Sequence, residues 1–309
     1  MEKIITQEEI TKIFHKPLLD LLFLANKTHQ NNHADKPIEK CSLLSVKTGR
    51  CSQDCAYCAQ SIRYKTNIKE HELLDKKQVL AAAKKSIEMG SSNFCLSLSG
   101  KQVKNDEDFE KIIEMIEEIQ KLNVRVCCTL GQLNEDQANR LKKANIFSYN
   151  HNLDTSPSFY SKIITTRKFE DRLKTISILQ KAKIPVCSGG ILGMGETEKD
   201  RIDFIHALNS LDPHPQSISL NCLIPIAGTP LENQKPISIW ELIRVIATIR
   251  IVIPKAVIRL AGGRGNFSHQ EQLLCFFAGI GSIHIGEKLL TAKNCSVKND
   301  ENLFETLGI

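Results

Sequence analysis

Apolar positions along this chain follow two periods in turn. Short runs rich in apolar and β-branched residues recur at Leu43–Thr48, Ser92–Leu98, Val124–Leu130, Ile146–Leu153, Pro185–Leu192, Ser217–Leu223, Ala256–Ala261 and Ser282–Gly286, and each reads as a strand. Between them lie stretches of helical period. The clearest is Phe109, Ile112, Ile113, Ile116, Ile119 and Leu122, an apolar stripe flanked by Glu and Lys. Others span about Lys76–Met89, Glu135–Lys143, Phe169–Ala182, Lys199–Leu211, Ile239–Ile251 and His269–Ala278. About eight strand–helix repeats in this length predict an α/β fold, a (β/α)8 TIM-type barrel. A doubly wound open sheet is the alternative. It usually has fewer strands and a glycine-rich phosphate turn after the first, and neither holds here. The first ~35 residues read as an extra N-terminal helix packed outside, and about 290–309 as a short C-terminal tail, so residues 1–309 read as a single domain.

Composition narrows the picture. Of 309 residues, 41% are hydrophobic, enough for a substantial core, and the net charge is +6 with no long Lys/Arg block. Such a mild, scattered excess fits an anionic small ligand or an acidic redox partner as readily as nucleic acid. The start, MEKIITQEEI, lacks the apolar segment of a signal peptide, and no apolar stretch approaches the roughly 20 residues that span a bilayer. The expected location is therefore cytoplasmic. There disulfides are rare, and eleven cysteines favour metal ligation or redox chemistry.

Three of those cysteines, Cys51, Cys55 and Cys58, are spaced C-x3-C-x2-C with no fourth nearby. Three thiolates can hold three corners of a cubane iron–sulfur cluster and leave one iron open to a non-protein ligand. A structural zinc site would close four protein ligands, and an electron-transfer cluster would use four cysteines. A zinc site borrowing a distant fourth ligand stays open as an alternative. The triad follows the first predicted strand, at the end of the barrel where chemistry belongs.

Other unusual residues fall on strands. Cys95 is on the second, Cys127 on the third, Cys187 on the fifth, Asn221 on the sixth and Arg259 on the seventh. On strand alternation, Cys127 pointing inward sends Cys128 outward, and a one-residue slip would swap them. Taken singly these thiols are good core residues; on three strands of one barrel they make a candidate second metal site. Asn150, Asn152 and Asp154, spaced by two, can face one cavity, where buried amides need partners such as a urea, an amide or a ribose. Arg259 has no lone pair to offer a metal and reads as an ion-pair partner for Asp154 or for a bound carboxylate. Gly193-Met194-Gly195-Glu196-Thr197 resembles a glycine-rich cofactor turn. Cys41, Cys222, Cys275 and Cys295 read as core or surface thiols, and His151 as packing.

The triad, with the aromatic Tyr57 before its last cysteine, resembles the signature of the radical S-adenosylmethionine superfamily. The wider pattern is similar to the biotin synthase family in Thr48–Ser61, Cys127–Gly131, Tyr149–Ser156, Val186–Gly190, Gly195–Thr197, Gly228–Leu231 and Val257–Leu260. The resemblance covers nearly the whole chain. It departs at Gly265, where an acidic residue is common, and at Ser97–Gly100.

The resemblance implies a sulfurtransferase that converts dethiobiotin to biotin, with a 5′-deoxyadenosyl radical generated at a 4Fe–4S cluster and sulfur donated by a 2Fe–2S cluster. Cys51, Cys55 and Cys58 would hold the first cluster, with S-adenosyl-L-methionine on its open iron. Cys95, Cys127, Cys187 and Arg259 would hold the second. On this count the resemblance overrides the chemical objection to arginine and selects Cys127 over Cys128. It assigns cofactor contacts to Tyr57, Asn152, Asp154, Gly193 and Glu196, and substrate contacts to Asn150, Asn152 and Asn221. It also implies a homodimer and a flavodoxin- or ferredoxin-type electron donor. The rival readings are another radical enzyme, such as a mutase or a hydrogenase maturase, and a cluster-bearing sensor or scaffold without substrate. A nucleic-acid-modifying role lacks a concentrated basic face.

Overall fold

A computed structural model describes residues 4–103 and 106–308; the ends of the predicted N-terminal extension and C-terminal tail at 1–3 and 309 lie outside them. Among the described residues nine strands form the main sheet: β1 (Glu39–Lys47), β2 (Asn93–Leu98), β3 (Arg125–Thr129), β4 (Ser148–Asn150), β5 (Val186–Cys187), β6 (Gly190–Leu192), β7 (Ser217–Cys222), β8 (Val257–Leu260) and β9 (Ile280–His284). All pairings among them are parallel. The order runs β5-β4-β3-β2-β1-β9-β8-β7-β6, and β5 also pairs with β7, which closes the ring. β5 and β6 are two halves of one barrel position, interrupted at Ser188-Gly189. A side chain at Gly189 would lie 1.9 Å from the Ser219 carbonyl oxygen, so the wall closes here only with glycine. The barrel therefore has eight positions, one for each predicted strand.

Helices cover the outside. The stripe on α4 (Asp106–Gln120) buries Phe109, Ile112, Met115, Ile116 and Ile119 against the sheet, as its period requires. α9 (Ile239–Val252) is apolar nearly all round because α2 (Leu18–His33) packs over its outer side. The N-terminal extension is two helices, α1 (Gln7–Phe14) and α2, and Pro17 caps the second. The predicted helices at α3 (Lys76–Glu88), α5 (Glu135–Lys143), α7 (Phe169–Lys181), α8 (Glu198–Asn209) and α10 (His269–Phe277) are present. A short α6 (Pro157–Ile163) was not expected. The C-terminal tail is more than a cap. It folds into a small hairpin, β10 (Lys288–Leu289) with β11 (Ala292–Lys293), followed by α11 (Val297–Leu307). Asp300 on α11 pairs with the fully buried Arg264, which fastens the tail to the barrel. No helix among the described residues is long and apolar enough to cross a membrane.

Candidate active site

A long irregular segment joins β1 to α3 and carries the triad. Its shape is set by backbone bonds: Cys51 N–H donates to Gln60 O at 2.9 Å, Ile62 N–H to Cys51 O at 2.9 Å, and Cys58 N–H to Cys55 O at 2.9 Å. Asp54 latches this loop to the segment after α6, accepting at Oδ1 from Thr165 N–H (3.0 Å), Thr166 N–H (3.1 Å) and the Thr166 hydroxyl (2.8 Å). Partial burial acts to raise the Asp54 carboxyl, but hydrogen bonds from the Thr165 hydroxyl to Oδ2 and from the Thr166 hydroxyl and both backbone N–H groups to Oδ1 outweigh it and hold the pKa at about 2. An irregular loop this long keeps one shape only because such bonds replace regular structure.

The three thiols open into a cavity of about 340 Å³ inside the barrel mouth. The same cavity is lined by Cys95, Cys127, Cys187 and Arg259 from the strands, and by Asn150, Asn152 and Asp154 from the end of β4. Cys128 lies in the apolar core outside the barrel, so β3 has the register with Cys127 inward. Burial pushes the Cys58 and Cys95 thiols up to about 12 and raises Cys55 and Cys127 as well. Buried thiols like these stay protonated unless a metal takes the proton's place.

Among the described residues, no three His, Cys, Asp or Glu side chains close on a single-ion site. Hydroxyls and cations accompany the sulfurs. Ser148 Oγ donates to Cys127 Sγ at 3.2 Å, Thr129 Oγ1 is 3.4 Å from Cys95 Sγ, and Arg167 Nη2 is 3.6 Å from Cys55 Sγ.

The site differs from the sequence expectation in four places. Asp154 pairs with Arg172 and accepts from the Tyr57 hydroxyl at 3.0 Å; its partner is not Arg259. Arg259 instead faces Glu39, with Nη2 3.6 Å from Oε2, and its Nη1 is 3.7 Å from Cys187 Sγ. Gly193 and Glu196 do not line the cavity. Glu196 closes its own turn, accepting from Gly193 N–H (2.8 Å) and Met194 N–H (2.7 Å), and pairs with Arg201 at 3.0 Å. Asn221 does line the cavity, but backbone holds both ends of its amide: it donates to Gly190 O at 3.2 Å and accepts from Gly262 N–H at 2.9 Å. By contrast, the Oδ1 atoms of Asn150 and Asn152 are buried and without a partner.

Several cavity residues escaped the sequence reading. His151 lines the cavity, because β4 ends at Asn150 and strand alternation no longer applies beyond it. Burial, followed by Arg172 and Arg167, keeps its imidazole well below the ordinary range, and its Nε2 is unpartnered. Arg167 and Arg172 add two cations; among the described lining residues Asp154 is the one carboxylate, while Glu39, outside that lining, faces Arg259. The hairpin turn Leu289–Ala292 covers part of the mouth.

Comparison with known proteins places this geometry. The model of the Radical SAM superfamily matches residues 45–208, and that of the Biotin and Thiamin Synthesis associated domain matches residues 219–309. The chain is 49% identical over 305 residues to the mitochondrial biotin synthase of Arabidopsis thaliana, covering 98% of this chain and 81% of that protein. It is 46% identical over 304 residues to the biotin synthase of Cytophaga hutchinsonii, covering 98% and 90%. The chain belongs to the biotin synthase family.

Biotin synthases are radical S-adenosylmethionine enzymes that insert sulfur, and that is the activity of this chain. The superfamily's 4Fe–4S cluster and S-adenosylmethionine are implied with it. Solved structures agree on the fold. The FeFe-hydrogenase maturase of Carboxydothermus hydrogenoformans superposes with a TM-score of 0.82 at 19% identity, over 98% of this chain and 75% of that one. Methylornithine synthase does so with a TM-score of 0.82 at 16% identity, over 99% and 94%. Biotin synthase family membership, rather than this shared barrel, separates the chain from those radical enzymes.

Proposed function

We propose that this chain converts dethiobiotin to biotin in one cavity that holds two iron–sulfur centres at different depths. Cys51, Cys55 and Cys58 would hold the 4Fe–4S cluster at the rim, and Cys95, Cys127 and Cys187 with Arg259 a 2Fe–2S cluster below. When bound, these groups supply the electron that cleaves S-adenosylmethionine to methionine and a 5′-deoxyadenosyl radical, and the sulfur that is inserted.

The protein's own part is binding, orientation and exclusion of water. The observation that carries the reading is the pair of orphaned acceptors, Asn150 Oδ1 and Asn152 Oδ1, in the cavity that both thiol sets share. An unmet buried acceptor costs about 1–3 kcal/mol, and the two N–H groups of a ureido ring would supply the missing donors. Asn221 would shape the wall rather than bind. The contacts of Tyr57 and Arg172 both fall on Asp154 Oδ2, which leaves Oδ1 for a ribose hydroxyl. Arg167, beside Cys55 and with Nε unpartnered, suits the carboxylate of S-adenosylmethionine. Ile224, Ile226 and the Leu289–Ala292 turn give the mouth an apolar cover that keeps water from a reactive intermediate.

The reading extends to a cytoplasmic, single-domain enzyme reduced by a flavodoxin- or ferredoxin-type donor. A homodimer would cover the exposed Leu19, Phe23 and Phe277; Asn26, on the same helix as Leu19 and Phe23, donates to Phe277 O at 3.1 Å. Dethiobiotin binding to reconstituted Asn152→Ser, measured by calorimetry, tests the ureido site. Affinity should fall roughly 5- to 150-fold, as expected for about 1–3 kcal/mol, with both clusters still visible by absorption. Unchanged affinity would refute the assignment of these amides.

A further inference from the structure

Two cavity thiols, Cys41 and Cys222, have no task in this division of labour, and Cys222 also packs in the apolar core. Cys41 on β1 is buried and lines the cavity. Its strand partners are Asn93 on β2 and His284 on β9. Both also line the cavity, both are more than nine-tenths buried, and each carries a side-chain atom with no hydrogen-bond partner: Asn93 Oδ1 and His284 Nδ1. Cys128 and Cys275, by contrast, pack among apolar side chains and do not line this cavity.

Geometry ties Cys41 to the deep centre. Its Sγ is 3.5 Å from Ser282 Oγ, and the same hydroxyl accepts from Arg259 Nε at 2.9 Å. The thiol and the guanidinium therefore flank one hydroxyl at one level of the barrel. Arg259 is meanwhile held as a donor. Nε serves Ser282, Nη2 faces Glu39, and Nη1 is aimed at Cys187 Sγ. A guanidinium has no lone pair for iron, whereas thiolate is the ordinary ligand of a 2Fe–2S centre.

We propose that Cys41 is a reserve ligand of the deep centre, taking the fourth position when Arg259 leaves it. The inference rests on the assignment of Cys95, Cys127 and Cys187 to that centre. The exchange balances. The bond from iron to a neutral guanidine nitrogen breaks and an iron–sulfur bond to Cys41 forms. The thiol proton goes to Arg259, which returns to guanidinium. A ligand of this kind keeps the irons bound when the cluster gives up sulfide.

The test uses full-length protein reconstituted anaerobically with iron and sulfide, read by iron per chain, visible absorption and cluster lifetime under chelator. Arg259→Met should keep the wild-type iron content. Adding Cys41→Ser to it should remove the deep iron or move its charge-transfer band to shorter wavelength, and shorten cluster lifetime about 10-fold or more. Arg259→Gln serves if the methionine variant does not fold. The proposal is overturned if Arg259→Met alone loses the deep iron, if the double variant matches the single one in spectrum and lifetime, or if His284→Phe strips the cluster from Arg259→Met while Cys41→Ser does not. Full iron content in Cys127→Ser would instead overturn the underlying assignment, and the proposal with it.

Discussion

The rim and the floor of the cavity hold their thiols by different means. At the rim, Cys51, Cys55 and Cys58 sit on one irregular loop, and eight consecutive residues contain the whole set. At the floor, Cys95, Cys127, Cys187 and Arg259 come from four strands, brought together by strand pairing, which sets Cys95 opposite Cys127, and by the closure of the barrel. A loop can place three ligands by local turns and needs latches such as Asp54 to keep its shape. A barrel wall places each ligand by strand register, and a slip of one residue would send Cys127 outward and Cys128 in. The rim is thus a local device and the floor a global one. Damage to one should leave the other assembled.

The largest effect expected from breaking that comparison is at the rim. Cys55→Ala should reduce deoxyadenosine formation to background while deep-cluster iron stays bound. Retained S-adenosylmethionine cleavage would contradict the open-iron assignment. Asp154→Asn should come next. It breaks a buried pair and leaves Arg172 uncompensated, which costs about 3–5 kcal/mol in denaturant unfolding. Tyr57 bonds to the same oxygen, so the substitution should also loosen the rim loop more than the floor, as hydrogen exchange of residues 51–64 would reveal.

The smallest effect expected is an acid one. The folded Asp54 carboxyl titrates near 2, below its ordinary 3.8, so the stability from its latch is present above pH about 4 and is lost as pH falls through about 2. Proteolysis of the rim loop should therefore rise between those values and be flat across them in Asp54→Asn. The same rise in the variant would remove Asp54 from the account.

Legibility in the sequence followed the same divide. The rim triad could be read from spacing alone. The eight strands could be read from period, because each is a buried apolar run between helices that bury one stripe. The floor could be listed but not assembled: strand alternation left Cys127 and Cys128 interchangeable, and only barrel closure brings Cys41 beside Arg259. Arg167 and Arg172 carry no pattern that separates an inward guanidinium from a solvent-facing one. His151 was lost because β4 stops one residue before it. Gly193 and Glu196 looked like a cofactor turn for the physical reason that a turn closed on its own carboxylate uses the same residues.

The measurement that tests the two-centre account most directly is an anaerobic assay of reconstituted wild-type protein beside Cys187→Ala. Each would be given S-adenosylmethionine, a low-potential reductant and dethiobiotin, with deoxyadenosine and biotin quantified together by mass spectrometry. The account predicts both products from the wild type and, from the variant, deoxyadenosine without biotin. Normal biotin from Cys187→Ala, or neither product from a wild type carrying both clusters, would contradict it.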